Sequence, residues 1–387
     1  MELRKRNVHC SRIGKRMIHQ FFVDDDYNVP DAKNDVLRIV QGEGHVKTEN
    51  IERMENYLRI TGKLYFQVLY VTDEVEPKLA AVEGRLPFEE MVYIEEGGEH
   101  VTYSVGDYRV EFAPALIHSR KMNLKAMVEL QICQETLCEE ETTTGIDEGE
   151  GIFQKKRTAK ILELHTGKKD TYRIKEEITL PGTKENIGTI LWTDIVNRKL
   201  DSKLIDDQLV VKGELLVFCF YLSEEQKEDW IEQTVPYEGT VECSGAEAQM
   251  YHHLCANLED TLVDIRMDED GEMRVLGIEA TLDLKITIYQ EDELEILEDA
   301  YSLREKCSLG KREAVYETLL LQNHSKCKLT EQLSLPELKE EILQICHSGG
   351  DIQVEHTEVT ADGIQIEGIL HVSFLYVKAN DEVPFAT

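Results

Sequence analysis

The chain has 387 residues, 41% of them apolar and 31% charged, a globular balance with enough length for two or three domains. Its formal charge of −33, from 76 acids against 43 bases, repels phosphate backbones and anionic lipid, which excludes nucleic acid as a partner of the body of the protein. No apolar run reaches the roughly 18 residues a membrane span needs. The nine cysteines are odd in number and widely spread, as suits reduced thiols in a cytosol rather than a disulfide framework.

The N-terminus runs against the overall charge, with Arg4, Lys5, Arg6, Arg12, Lys15 and Arg16 against Glu2 alone. No apolar stretch or small-residue cleavage site follows, so no signal peptide is predicted. A basic run in so acidic a chain is expected to fold back on an acidic face of the same molecule.

One pattern then recurs three times: Val-Pro-Asp-Ala-Lys-Asn-Asp-Val-Leu-Arg-Ile-Val (29–40), Leu-Pro-Gly-Thr-Lys-Glu-Asn-Ile-Gly-Thr-Ile-Leu (180–191) and Leu-Pro-Glu-Leu-Lys-Glu-Glu-Ile-Leu-Gln-Ile-Cys (335–346). Each copy carries a proline (Pro30, Pro181, Pro336), a lysine three residues on (Lys33, Lys184, Lys339), a glycine 32 on (Gly62, Gly213, Gly368) and a tyrosine 40 on (Tyr70, Tyr221, Tyr376), without gaps. The copies start 151 and 155 residues apart, so each is a domain-sized module rather than a short solenoid repeat.

In chain order, the alternating residues Phe21, Val23, Tyr27 and Val29 and their counterparts predict a strand before the proline. Proline suits the first position of a helix, and apolar residues at +6, +9 and +10 from it give a helical stripe, so a short helix of about three turns is predicted after it. The lysine near that helix start is expected to pair with the acid five residues before the proline (Asp25, Glu176, Glu331). Apolar residues at +28, +30, +34, +36 and +38, such as Leu58 to Val68, predict a long strand whose glycine marks a bulge or close approach. Apolar residues on its other face as well, among them Leu216 and Phe218, make it a central strand.

Leu86-Pro87-Phe88-Glu89 and Val235-Pro236-Tyr237-Glu238 follow, and the two complete copies close on strands at 126–134 and 280–290. The run from Cys138 to Gly151, with six acids and no base, reads as linker. The expected organisation is a first module over 1–137, an acidic linker over 138–156, a second module over 157–306 and a third over 307–387. The fold class is mainly β: tandem modules of about 150 residues, each a β-sandwich or open barrel with one short helix. Only eleven residues follow Tyr376, so the third copy is expected to lack its closing strands, belong to a longer protein, and be loosely ordered or completed by another chain.

This pattern of strand, Pro-x-x-Lys, long glycine-bearing strand, tyrosine and Pro-aromatic-Glu strand resembles the SPOCS domain of clostridial spore proteins of the SipL type. The phrases 213–221 and 299–302 look like that family too. The resemblance covers nearly the whole chain and implies a role in spore-coat assembly on the mother-cell side of the forespore surface. It also implies a SpoIVA-like morphogenetic ATPase as partner. Family members typically end in a LysM domain, the part implicated in that contact, and none occurs in these residues. The matching motifs are packing motifs and carry no activity of their own.

The sequence carries no catalytic set, no cofactor motif and no metal site. Gly182 to Thr189 lacks the lysine of a phosphate loop after Gly188, and five residues rather than four separate its glycines. Asp268 to Gly271 reads as a hairpin turn, since the calcium-loop register would place Arg266 and Gly277 at ligand positions. His252, His253 and Cys255 lack a second ligand cluster, and Cys133 and Cys138 read as structural. Two readings remain: a non-catalytic assembly scaffold that binds other proteins or further copies of itself, and a glycan-binding β-sandwich using Trp192, Trp230, Tyr237 and Tyr251 as a platform.

Overall fold

The computed structural model describes residues 2–75, 77–94, 100–147, 151–304, 306, 308–322, 326–332, 334, 342–378 and 385–386. The first module contains β1 (Leu3–Asn28), β2 (Val36–Met54), β3 (Tyr57–Thr72), β4 (Leu79–Tyr93), β5 (Val101–His118) and β6 (Lys121–Ile146). The second repeats it as β7 (Ile152–Thr179), β8 (Ile187–Ile205), β9 (Gln208–Ser223), β10 (Glu228–Glu242), β11 (Tyr251–Met267) and β12 (Met273–Ser302). The third copy contributes β13 (Ile342–Thr360), β14 (Gly363–Lys378) and the short β15 (Phe385–Ala386).

Every pairing is antiparallel. The meanders β2-β3-β4 and β8-β9-β10 form inner sheets, and β1-β6-β5 and β7-β12-β11 form outer ones; β13-β14-β15 is a third inner sheet. Within each complete module the two sheets share one core: Phe21, Leu64, Phe66 and Leu124 in the first, Ile174, Leu215, Val217 and Leu282 in the second. The alternation read from sequence is the inner row of β3 and β9, and Leu58, Ile60, Leu209 and Val211 are fully buried.

The helix predicted after each proline is absent: residues 36–40 and 187–191 open strands β2 and β8. In the third copy residues 342–346 are strand too, and the start of the expected helix, with Pro336 and Lys339, lies outside the described residues. Register shifts between Val36 and Arg38 and between Ile39 and Gln41 place two bulges three residues apart, and β8 and β13 repeat both. Two bulges reset the pleat so that +6, +9 and +10 imitate a helical stripe.

The acidic run is likewise strand and not linker through Ile146, because β6 extends to pair with the basic N-terminus. Arg4 meets Asp147 at 2.7 Å, Lys5 meets Glu141 at 2.7 Å and Arg12 meets Glu140 at 3.0 Å, so the basic run does fold back on an acidic face. Arg6 reaches the second module, 2.8 Å from Glu163 and 2.6 Å from Asp292. Beneath these pairs a small core of Val8, Ile161 and Leu294 closes the seam between the two outer sheets, with Tyr316 of the following segment packed on it.

Candidate functional site

The repeat positions gather into two constellations. Around the proline, Lys33 and Lys184 donate their backbone N–H to the carbonyls of Pro30 and Pro181, closing a turn. Arg120 holds the first turn through the carbonyls of Lys33 (2.6 Å), Pro30 (2.9 Å) and Val29 (3.2 Å), and Arg274 holds the second through Lys184 (2.9 Å) and Pro181 (2.9 Å). Sequence comparison missed both arginines because they stand 90 and 93 residues past their prolines. The signal was there from the other side, six residues before Ala126 and Ala280 of the closing strands.

The conserved-offset tyrosines anchor the same region. Tyr70 is fully buried and donates to the Asn34 carbonyl at 3.1 Å, and Tyr221 donates to Asp229 at 3.3 Å. Burial pushes the Tyr70 phenol up to about 12, and burial with the Asp229 charge raises Tyr221 as well. Lys184 also pairs with Asp229, at 2.5 Å, and not with Glu176, which lies opposite Ile278 in the outer sheet. Asp25 likewise sits in an outer sheet, opposite Leu124.

The glycines form the second constellation. Gly62 pairs with Phe88 and Gly213 with Tyr237, and a Cβ on either glycine would collide with the partner's ring. On the other side, Gly62, Gly213 and Gly368 all face a register shift in the neighbouring strand. At Gly368 a Cβ would meet the Gln353 carbonyl. Tyr376 is buried on β14 beside Leu375.

A third core, absent from the sequence reading, joins the copies. Val40, Leu191 and Cys346 at +10, Leu69, Phe220 and Leu375 at +39, and Val71, Leu222 and Val377 at +41 converge in it. The +10 residues are the second bulge of each first inner strand, which turns them out of their own pleat toward this core. Contacts run from β4 to β8 and from β15 to β2, and His347 of β13 meets Glu232 of β10, so the last strand of each inner sheet touches the first strand of the next. The three inner sheets thereby close head to tail.

Beside this core lies a cleft of about 1480 Å³ lined by all three copies, among them Glu43, His45, Tyr108, Asp194, Glu259 and His371. Lys47 and Asp260 bridge the first two modules there at 2.6 Å. Glu43 faces the cleft with protein packed closely around it, so burial, then the charge of Asp194, pushes its carboxyl up to about 7 against the opposing hydrogen bond from Gln67. Burial likewise lowers the His45 imidazole, stacked 5.2 Å from Tyr65.

One surface stands apart. The inner row of β14 is uncharged and uncovered: Ile364 is 58% exposed, Ile366 64%, Leu370 48% and Val372 43%, whereas Leu58, Ile60, Leu64 and Leu215 at matching offsets are 0%.

The remaining candidates have structural places. Trp192 and Tyr237 are buried, Trp230 packs against the three-sheet core, and Tyr237 donates to Asn197 at 2.7 Å, so these aromatics form no surface platform. His252 bonds Ser202 at 2.9 Å, and among the described residues no group of His, Cys, Asp and Glu is arranged to hold a metal ion. Asp268 to Gly271 forms the β11–β12 hairpin turn, with Gly271 at φ 82°. Cys10 stands opposite Cys138 across β1–β6, and burial lifts its thiol to about 11. Among the described residues no helix is long and apolar enough to cross a membrane.

A tandem of β-sheet modules with a shared inner core, helix-free among the described residues, is a packing architecture that repeats by module. The family description "SipL, SPOCS domain" matches residues 35–113, 186–266 and 341–387, more than half of the chain, and the chain belongs to that family. The three matched segments begin within one or two residues of β2, β8 and β13. Membership gives the protein a sporulation-related role, and the family is not a known enzyme family. No curated protein and no solved structure matches the chain.

Proposed function

We propose that this protein is a non-catalytic binding scaffold of the spore envelope, acting on the mother-cell side of the forespore surface through contact with a SpoIVA-like morphogenetic protein. The observation that supports it is the bare inner row of β14, with Ile352 of β13 beside it at 64% exposure. A contiguous apolar face without charge, in a chain that is 31% charged, is the surface a protein partner would bury. The repeat architecture supplies extended sheets, which suits assembly.

Calorimetry of the full chain against a purified SpoIVA-like protein tests this. Binding should be lost in Ile366→Glu with Leu370→Glu, both at exposed positions, while the melting temperature stays within a few degrees of the parent. Equal binding by the parent and the double variant would remove this face from the contact, and no binding by either would remove the partner.

A further inference from the structure

The third inner sheet is held to the second module through few side chains, and one of them titrates. His347 on β13 is 7% exposed, and among the described residues no other His, Lys, Arg, Asp or Glu is as buried. Its ring stacks on Phe218 of β9 at 4.1 Å, and Nε2 lies 2.8 Å from Asp194 Oδ2 on β8. Nδ1 faces Glu232 Oε2 of β10 at 3.5 Å without forming a hydrogen bond. Glu43 on β2 adds a further carboxyl close enough to interact with both Asp194 and His347. Three carboxyls from three strands of two modules therefore surround one imidazole of the third.

A neutral imidazole has one N–H, so it can satisfy Asp194 only by turning a lone pair toward Glu232. An imidazolium presents N–H to both and offsets the mutual repulsion of the acids. We propose that His347 is a proton-operated latch: with both ring nitrogens protonated it ties β13–β14 to the second module through Asp194 and Glu232, and on losing the proton it loosens that sheet.

The titration runs in the required direction. Burial depresses the imidazolium, but the Asp194 hydrogen bond and the charges of Asp194 and Glu232 outweigh it, and the net shift is upward. A group whose docked value is raised stabilises docking fully below its free value, about 6.5 for histidine, and that stability is lost as pH rises through the docked value. Glu43, raised to about 7 by burial and then by Asp194, titrates in the same range, so a Glu43 substitution is needed to separate its proton from that of His347. Docking is tightest in mild acid and loosens on the alkaline side of neutrality. The latch stands independently of the scaffold reading.

The chain's two tryptophans report on it directly, since Trp192 is 1% exposed in the three-sheet core and Trp230 packs against that core. Acrylamide quenching and amide exchange of 369–377 in the full chain, from about pH 5.5 to about pH 8.5, should show docking weaken by up to tenfold per pH unit. Glu43→Gln should keep that transition, and Glu43→Gln with His347→Gln should abolish it. The variants are read by the slope of their pH profile, which a merely packing role would leave unchanged, with circular dichroism confirming the sheets. A flat parent profile, loss of the transition in Glu43→Gln alone, or its survival in the double variant each overturns the proposal.

Discussion

Removing the Arg274 guanidinium would leave the carbonyls of Pro181 and Lys184 and the side chain of Asn186 without their common donor. The fork satisfies a turn that has no helix to absorb its carbonyls, which is why one arginine recurs there in each complete module. Arg274→Ala should cost the second module about 1–3 kcal/mol, less than the sum of its hydrogen bonds because water reaches part of the site. Arg274→Lys should recover little, since a single ammonium cannot span both carbonyls. Urea unfolding of the two variants measures this, and parent-like midpoints would show that the turn holds itself.

Among the elements, β14 carries two apolar faces with opposite fates. Leu375 on the outer row is 2% exposed in the three-sheet core, while Leu370 on the inner row is 48% exposed. Leu375→Ala should therefore cost about 2–4 kcal/mol and Leu370→Ala less than about 0.5 kcal/mol. The ranking inverts what module homology alone predicts, because Leu64 and Leu215, the counterparts of Leu370, are both fully buried. Chemical denaturation of the two variants decides it: equal losses would mean that the inner row is covered in solution.

Across the whole molecule, two kinds of junction hold the copies, an apolar core among the inner sheets and an ionic seam between the outer ones. Because the inner sheets close head to tail, the array is not an open solenoid that adds further copies at its ends. At the seam, the Arg6 hydrogen bond and charge hold Asp292 below its ordinary carboxylate value against the opposing effect of burial. A depressed carboxylate stabilises above its free value and loses that contribution as pH falls through the depressed one, so the seam weakens in acid while the His347 contact weakens in base. Arg6→Glu should raise amide exchange around Ile161 and Leu294, more at low salt than at high. An effect independent of salt would assign the seam to its apolar core.

What is local and repeated was legible in the sequence by itself: the module, the strand before the proline in the two complete copies, the long strand with a buried row, the close approach at its glycine, and the fold-back of the basic N-terminus. Alternation and charge are properties of neighbouring residues, so they are legible without coordinates. Tertiary structure alone decided what depends on which surfaces meet. It resolved +6, +9 and +10 into a twice-bulged strand, since three apolar positions fit either period and only pairing with β3, β9 or β14 selects one. It set Arg120 and Arg274 on their turns, and brought His347 to Asp194, 153 residues away, because burial of an apolar face is non-directional and does not state in advance which partner will cover it.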